Sequence, residues 1–216
     1  MGRVWRNHGL TLTMAALFFV SWTGQSIAGW LHHNEEQREH GNAPLAWAEY
    51  VRSGDFIEST FENWEGEFFQ MAAFVFLAGK LRQRGSAQSK EDEGDEHQPE
   101  RERRPDSPAP VHRGGLVLKL YSHSLSLAFA GLFLVSFAVH ALGGLADFNE
   151  QARSHGAPTK ALLEYVASST FWFQSFQNWQ SEFLAVVTMV VLSIVLREKD
   201  SPESKPVQEP HSTTGH

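Results

Sequence analysis

Three groups of polar side chains each occur twice in the chain, 115 residues apart. The first joins Asn34, Glu35, Arg38 and His40, and it recurs as Asn149, Glu150, Arg153 and His155. Imidazole and carboxylate together suit a bound metal ion or a proton-transfer site. His32, His33, Glu36 and Glu39 extend the first copy, and Asp147 extends the second. His40 and His155 are the metal-ligand candidates. Their spacing is unfavourable: Glu35 and His40 are five apart, off a single helix face, and no HExxH-type pattern occurs. Helix-end electrostatics accounts for the same residues, because a protonated imidazole is favoured in a last turn. Glu35 and Arg38, three apart, can pair on one helix.

The second group is Asn63, Trp64 and Glu67, matched by Asn178, Trp179 and Glu182. Asn63 and Glu67 are four apart and share a helix face. Their neighbours Glu62 and Glu65 become Gln177 and Gln180, so Glu67 and Glu182 are the acids kept beside the apolar run. An ionisable group held there is a functional candidate, with interhelical bonding as the alternative. The third group is Gln25 and His140, at equivalent depths in two apolar runs and expected to face the interior, where they can bond to one another. Only one of the two ionises, which excludes a symmetric metal site. No phosphate loop, dinucleotide glycine pattern, nucleophile elbow or HxxxH-type bundle pattern is present. No catalytic set and no cofactor are implied, and a non-enzyme is favoured.

The elements that carry these groups repeat as well. Residues 8–90 align without a gap on 123–205 with about 32 identities, several times the chance level. The sequence reads as an all-α integral membrane bundle: four transmembrane helices from two tandem two-span repeats, with short external amphipathic helices. Repeat 1 covers 1–85, with spans at about 9–31 and 64–82. Repeat 2 covers 115–200, with spans at about 118–146 and 179–197. The first run of each repeat is long enough to cross a hydrocarbon core. The second, Phe68–Leu81 or Phe183–Leu196, must borrow one or two turns from the polar segment before it. The first helix should continue outside the membrane and stop at Gly41, and its copy at Gly156. A short helix with Pro44 in its first turn follows, and Asp55 then reads as the N-cap of the next helix, with Ser168 or Ser169 in the copy. Ser26-Ile27-Ala28 resembles a signal-peptide cleavage site, but the run before it is long and the segment recurs mid-chain, against cleavage. Ala15, Ala16, Gly24, Ala28, Gly29, Ala130, Gly131, Gly143 and Gly144 permit close helix packing and also suit a homodimer contact.

Lysine and arginine set the orientation. They flank the outer ends of each repeat (Arg3, Arg6, Lys80, Arg82, Arg84, Arg113, Lys119, Arg197 and Lys199), while the inter-span loops are acidic. Both termini and the linker are expected in the cytoplasm of a multi-pass protein of the cell membrane. The linker 86–114 and the tail 201–216 are polar and proline-bearing and are expected to be disordered. The basic run Arg101-Glu102-Arg103-Arg104 is diluted by nearby acids. The chain has 216 residues, a formal net charge of −7 and no cysteine, which removes disulfides and thiolate sites and argues against a nucleic-acid partner. The expected partner is the lipid bilayer.

The strings NEEQREHG and FENWEGEFFQM, with GQSIAGW ahead of them, resemble a family of small bacterial four-pass membrane proteins of unknown function. Members carry near-identical NEEQREHG and ENWESEF-type strings and a similar duplication. The resemblance covers the chain apart from linker and tail. It implies a bacterial cytoplasmic membrane and supplies no activity. Gly66 departs from the pattern, which has serine there; Ser181 keeps it. Three functions remain open: a non-enzymatic protein binding a small ligand or ion at its outer face or supporting membrane homeostasis, a small proton-coupled carrier with a site between repeats, and an external metal-dependent enzyme.

Overall fold

A computed structural model describes residues 2–89 and 104–215. Residues 90–103 of the expected linker, with Arg101 and Arg103, lie outside the described residues. Among the described residues every regular element is helical. In chain order these are α1 (Arg3–Glu39), α2 (Trp47–Tyr50), α3 (Gly54–Ala78), α4 (Ala109–Arg113), α5 (Gly115–Ser122), α6 (Ser124–Ser154), α7 (Leu162–Val166) and α8 (Ser169–Val195).

Three of them, α1, α6 and α8, are long and apolar enough to cross a membrane. At 37 residues, α1 is about 55 Å long and exceeds a hydrocarbon core by several turns. Only 6 % of the apolar window of α1 and of α8, and 17 % of that of α6, is buried. Leu10, Val20, Leu134, Val135, Phe173 and Leu184 all stand more than half exposed. Surfaces of this kind are favourable in lipid and costly in water. The α3 helix is not among the three. Asp55, Glu58, Glu62, Glu65 and Glu67 fill its first half, and it ends at Ala78, short of the expected Arg82. The expected run 118–146 is also divided. His123 caps α5 and separates it from α6. Ser122 donates its hydroxyl to the Leu118 carbonyl at 2.8 Å, a back-bond that competes with the helix ladder.

The chain packs as two compact units. One comprises Met1–Thr60 and Val139–Tyr165. Here α1 and α6 both end in a Schellman motif. Asn42 N–H donates to the Gln37 carbonyl and Gly41 N–H to that of Arg38; Ala157 and Gly156 do the same to Ala152 and Arg153. Gly41 and Gly156 take φ values of +74° and +65°, which a Cβ disfavours. The chain then runs extended through Pro44 to the single turn of α2, where Glu49 accepts from the Ala46 N–H at 2.8 Å. Glu164 accepts from Ala161 at 2.8 Å ahead of α7. Tyr50 and Tyr165 point inward, and their hydroxyls occupy the space where a side chain on Gly29 or Gly144 would begin. The expected N-cap role of Asp55 falls to Ser53, whose Oγ accepts from Phe56 N–H at 3.3 Å. Asp55 is left inside the first turn and free to bond elsewhere.

The other unit comprises Phe61–Ala138 and Val166–His216. Its centre is aromatic. Phe69 packs on Phe133, Trp179 and Phe183 with ring centroids 4.7–5.4 Å apart. Phe137 meets Phe171 edge-on at 5.2 Å. Residues 201–215 form successive turns around Lys205, whose ammonium donates to the carbonyls of Gly85, Pro210, His211 and Thr213.

The tyrosine–glycine contact gives a test. Tyr165 is fully buried and donates to Glu58 Oε1 at 3.1 Å, so it has little room to move. Gly144→Ala should therefore cost about 1–3 kcal/mol. Gly131→Ala adds its methyl in open space within α6 and should not destabilise, with a gain of up to about 1 kcal/mol from helix propensity. Thermal unfolding of the two variants in detergent, followed by circular dichroism, compares them directly.

Candidate functional site

The first unit contains a polar cavity of about 410 Å³. The last turns of α1 supply His32, His33, Glu36 and His40, those of α6 supply Asp147, Glu150, Gln151 and His155, and the first turn of α3 supplies Asp55. Four carboxylates and four imidazoles thus face one space.

His33 is its most constrained member. The side chain is buried, and Nδ1 lies 2.9 Å from Asp55 Oδ2. A carboxylate accepts, so Nδ1 carries a proton. Nε2 lies 3.3 Å from the Gln37 amide nitrogen, and the Tyr50 ring covers the imidazole at 5.4 Å. Burial first, then the charges of Asp55 and Asp147, push the Tyr50 phenol up to about 12. Asp147 stands among the carboxylates of Glu58, Asp55, Glu150 and Glu36, and its Oδ2 accepts from the Gln151 amide at 2.7 Å.

His40 and His155 meet edge to face, with centroids 5.6 Å apart. Each Nδ1 lies 2.8 Å from a backbone carbonyl, of Glu36 and Gln151 respectively. A carbonyl only accepts, so each Nδ1 is the donor and the Nε2 lone pair of the neutral ring is turned away from the helix. A second-sphere carbonyl orients metal-bound imidazoles in this way. Among the described residues, however, no three His, Asp or Glu side chains converge as a ligand set.

The remaining members of the first group are placed differently. Asn34 and Asn149 act on backbone: Asn34 donates to the Leu45 carbonyl at 2.9 Å and accepts from its N–H at 2.7 Å. Asn149 makes the same pair of bonds to Lys160, at 3.0 and 2.8 Å. They tie down the loops that follow α1 and α6. Glu35, Arg38 and Arg153 are exposed and do not line the cavity. Asp55, read from sequence as a cap, is part of the site; its distance of 22 residues from His33 carries no periodic signal. Gln25 reaches Ser59 Oγ at 3.5 Å instead of His140, which is fully buried.

The second group lies in the other unit. Asn178 donates to Asn63 Oδ1 at 3.2 Å, and the Glu182 side chain lies against Gly66, next in sequence to Glu67. Trp64 packs on Phe61 at 4.9 Å. Trp179 donates to Glu65 Oε1 at 2.9 Å. Glu65, whose counterpart is Gln180, is the fully buried acid of this segment, while Glu67 is exposed. The glycine at 66 also has a reason: a Cβ there would overlap the Asn178 side chain.

One family model covers residues 1–216. The chain belongs to the domain of unknown function DUF6766. No curated protein and no solved structure matches it. The family name carries no chemistry, so the geometry of the polar cavity is the functional evidence.

Tyr50 makes the electrostatics of this region measurable. Its neutral form is favoured on folding, so the resulting stability is complete below about pH 10 and is lost as the pH rises through about 12. Absorbance titration of the phenols should show a component near pH 12 that is missing in Tyr50→Phe and shifted to lower pH in Asp55→Asn. An unshifted titration in Asp55→Asn would mean that the carboxylate is too well solvated to act on the phenol.

Proposed function

We propose that this protein is a four-pass, non-enzymatic membrane protein built from two tandem two-helix repeats, and that it binds a small cationic ligand in the cavity of α1, α3 and α6. The observation that carries this is the set of four carboxylates and four imidazoles lining one space of about 410 Å³. Neutral imidazoles and ionised carboxylates are both cation ligands, and the volume falls within the range of small-molecule sites. The repeat reading is supported by matched local structure: the Schellman ends of α1 and α6, the Asn34 and Asn149 staples, and the Glu49 and Glu164 bonds recur at the sequence offset. The fourth span is α3, whose apolar half begins at Phe68. The charge pattern favours an external cavity and cytoplasmic termini in a cell membrane.

A second reading, a proton-coupled carrier, is favoured by the placement of Glu182 against Gly66, beside Glu67, since neighbouring carboxyls can relay a proton. The external metalloenzyme has less support, because the two oriented histidines have no third ligand beside them among the described residues.

Thermal unfolding of detergent-purified protein with zinc chloride, calcium chloride or spermidine tests the leading reading. A ligand at a hundred times its Kd adds about 2.7 kcal/mol to stability. At least one of the three cations should raise the melting temperature by several degrees, and Asp55→Asn/Asp147→Asn should abolish the shift. No shift with any of them would remove the cation-binding reading. Dissipation of a proton gradient in proteoliposomes, lost in Glu182→Gln, would favour the carrier instead.

A further inference from the structure

The second unit carries a separate groove of about 670 Å³ that the polar cavity does not involve. It opens where the chain breaks at His123 between α5 and α6. Ala72, Ala73 and Phe76 of α3 form one wall, and Leu120, Leu127 and Ala130 of α5 and α6 form the other. Alanines on both sides keep the groove wide and its floor apolar. Its polar groups are Lys80, Lys119, His123 and Ser126. The Lys80 ammonium lies 4.0 Å from the centroid of the Phe76 ring, which fixes it over the apolar wall. Lys119 and His123 are four apart, one turn of helix.

No acid lines this groove, although the chain carries 25 acidic residues against 18 basic ones. Apolar walls that end in a basic rim match a molecule with an anionic head and a hydrocarbon body. From the groove and its charge we infer that it binds an anionic phospholipid, with the phosphate at Lys80 and Lys119 and one acyl chain against Ala72, Ala73 and Ala130. Basic pockets between transmembrane helices hold lipid headgroups by this combination. The site is distinct from the carboxylate- and histidine-lined cavity, whose charge is opposite.

Native mass spectrometry of the full-length chain in detergent, with equal amounts of palmitoyl-oleoyl phosphatidylglycerol and the matching phosphatidylcholine, tests this. The wild-type chain should retain the anionic lipid over the zwitterionic one by about fivefold or more. Lys80→Gln/Lys119→Gln should bring the ratio close to unity, and Lys80→Arg/Lys119→Arg should keep it. Ala73→Trp fills the apolar part while leaving the charges, and it should lower retention of both lipids. Circular dichroism of each variant verifies that the helices are retained, and the charge-retaining pair keeps the test decisive if the neutral pair unfolds. Equal retention of the two lipids by the wild type would overturn the proposal. So would unchanged retention of phosphatidylglycerol in Ala73→Trp, since the preference would then come from diffuse surface charge and not from the groove.

Discussion

Hydrocarbon offers no hydrogen-bond partner, so a polar group carried into a membrane must find one within the protein. Most of the packing here follows from that constraint. The windows of α1, α6 and α8 turn large apolar side chains outward, and the buried positions hold His33, Asn34, Glu65, His140 and several serines. Among them, His33 bonds to Asp55, Asn34 to Leu45 and Glu65 to Trp179. A water-soluble bundle gains stability by burying leucine. Here apolar side chains face outward, and the interior combines a phenylalanine and tryptophan cluster with amides, carboxyls and tyrosines.

The same constraint explains why the polar cavity lies at the ends of α1 and α6. Both helices outrun their apolar segments, and in those last turns imidazoles and carboxylates become tolerable. The Schellman turns fix where each helix stops, and the asparagine staples fix the loops that return from it. The site is therefore held by backbone geometry on both sides. Of its charged side chains, Asp55 also ties α3 to α1 through His33, and Asp147 holds the Gln151 amide.

Local features were legible in the sequence. Gly41 and Gly156 ended their helices where a left-handed residue was needed, and the two apolar runs long enough alone to cross a bilayer became α1 and α6. Partner choice at long range was not legible. Asp55 has the sequence context of a cap, yet Ser53 is better placed for that bond and Asp55 turns to His33. Glu65 was set aside because its counterpart is Gln180, but a Trp179 indole 114 residues away makes it the buried acid. Arg38 and Glu35 have helix spacing for an ion pair and point to solvent instead, where such a pair is worth little. Periodicity reports which face a residue occupies; it does not report what another helix brings to that face.

The glycine at 66 marks a close approach between α3 and α8. The matched position in the second half is Ser181, and the space that a side chain at 66 would fill belongs to Asn178. A side chain at 66 would have to turn the Asn178 amide, which donates to Asn63, while the Ser181 hydroxyl stays bonded to the Asn178 carbonyl. What one residue lacks thus decides the rotamer of another, and an exchange at 66 would be felt first at Asn63.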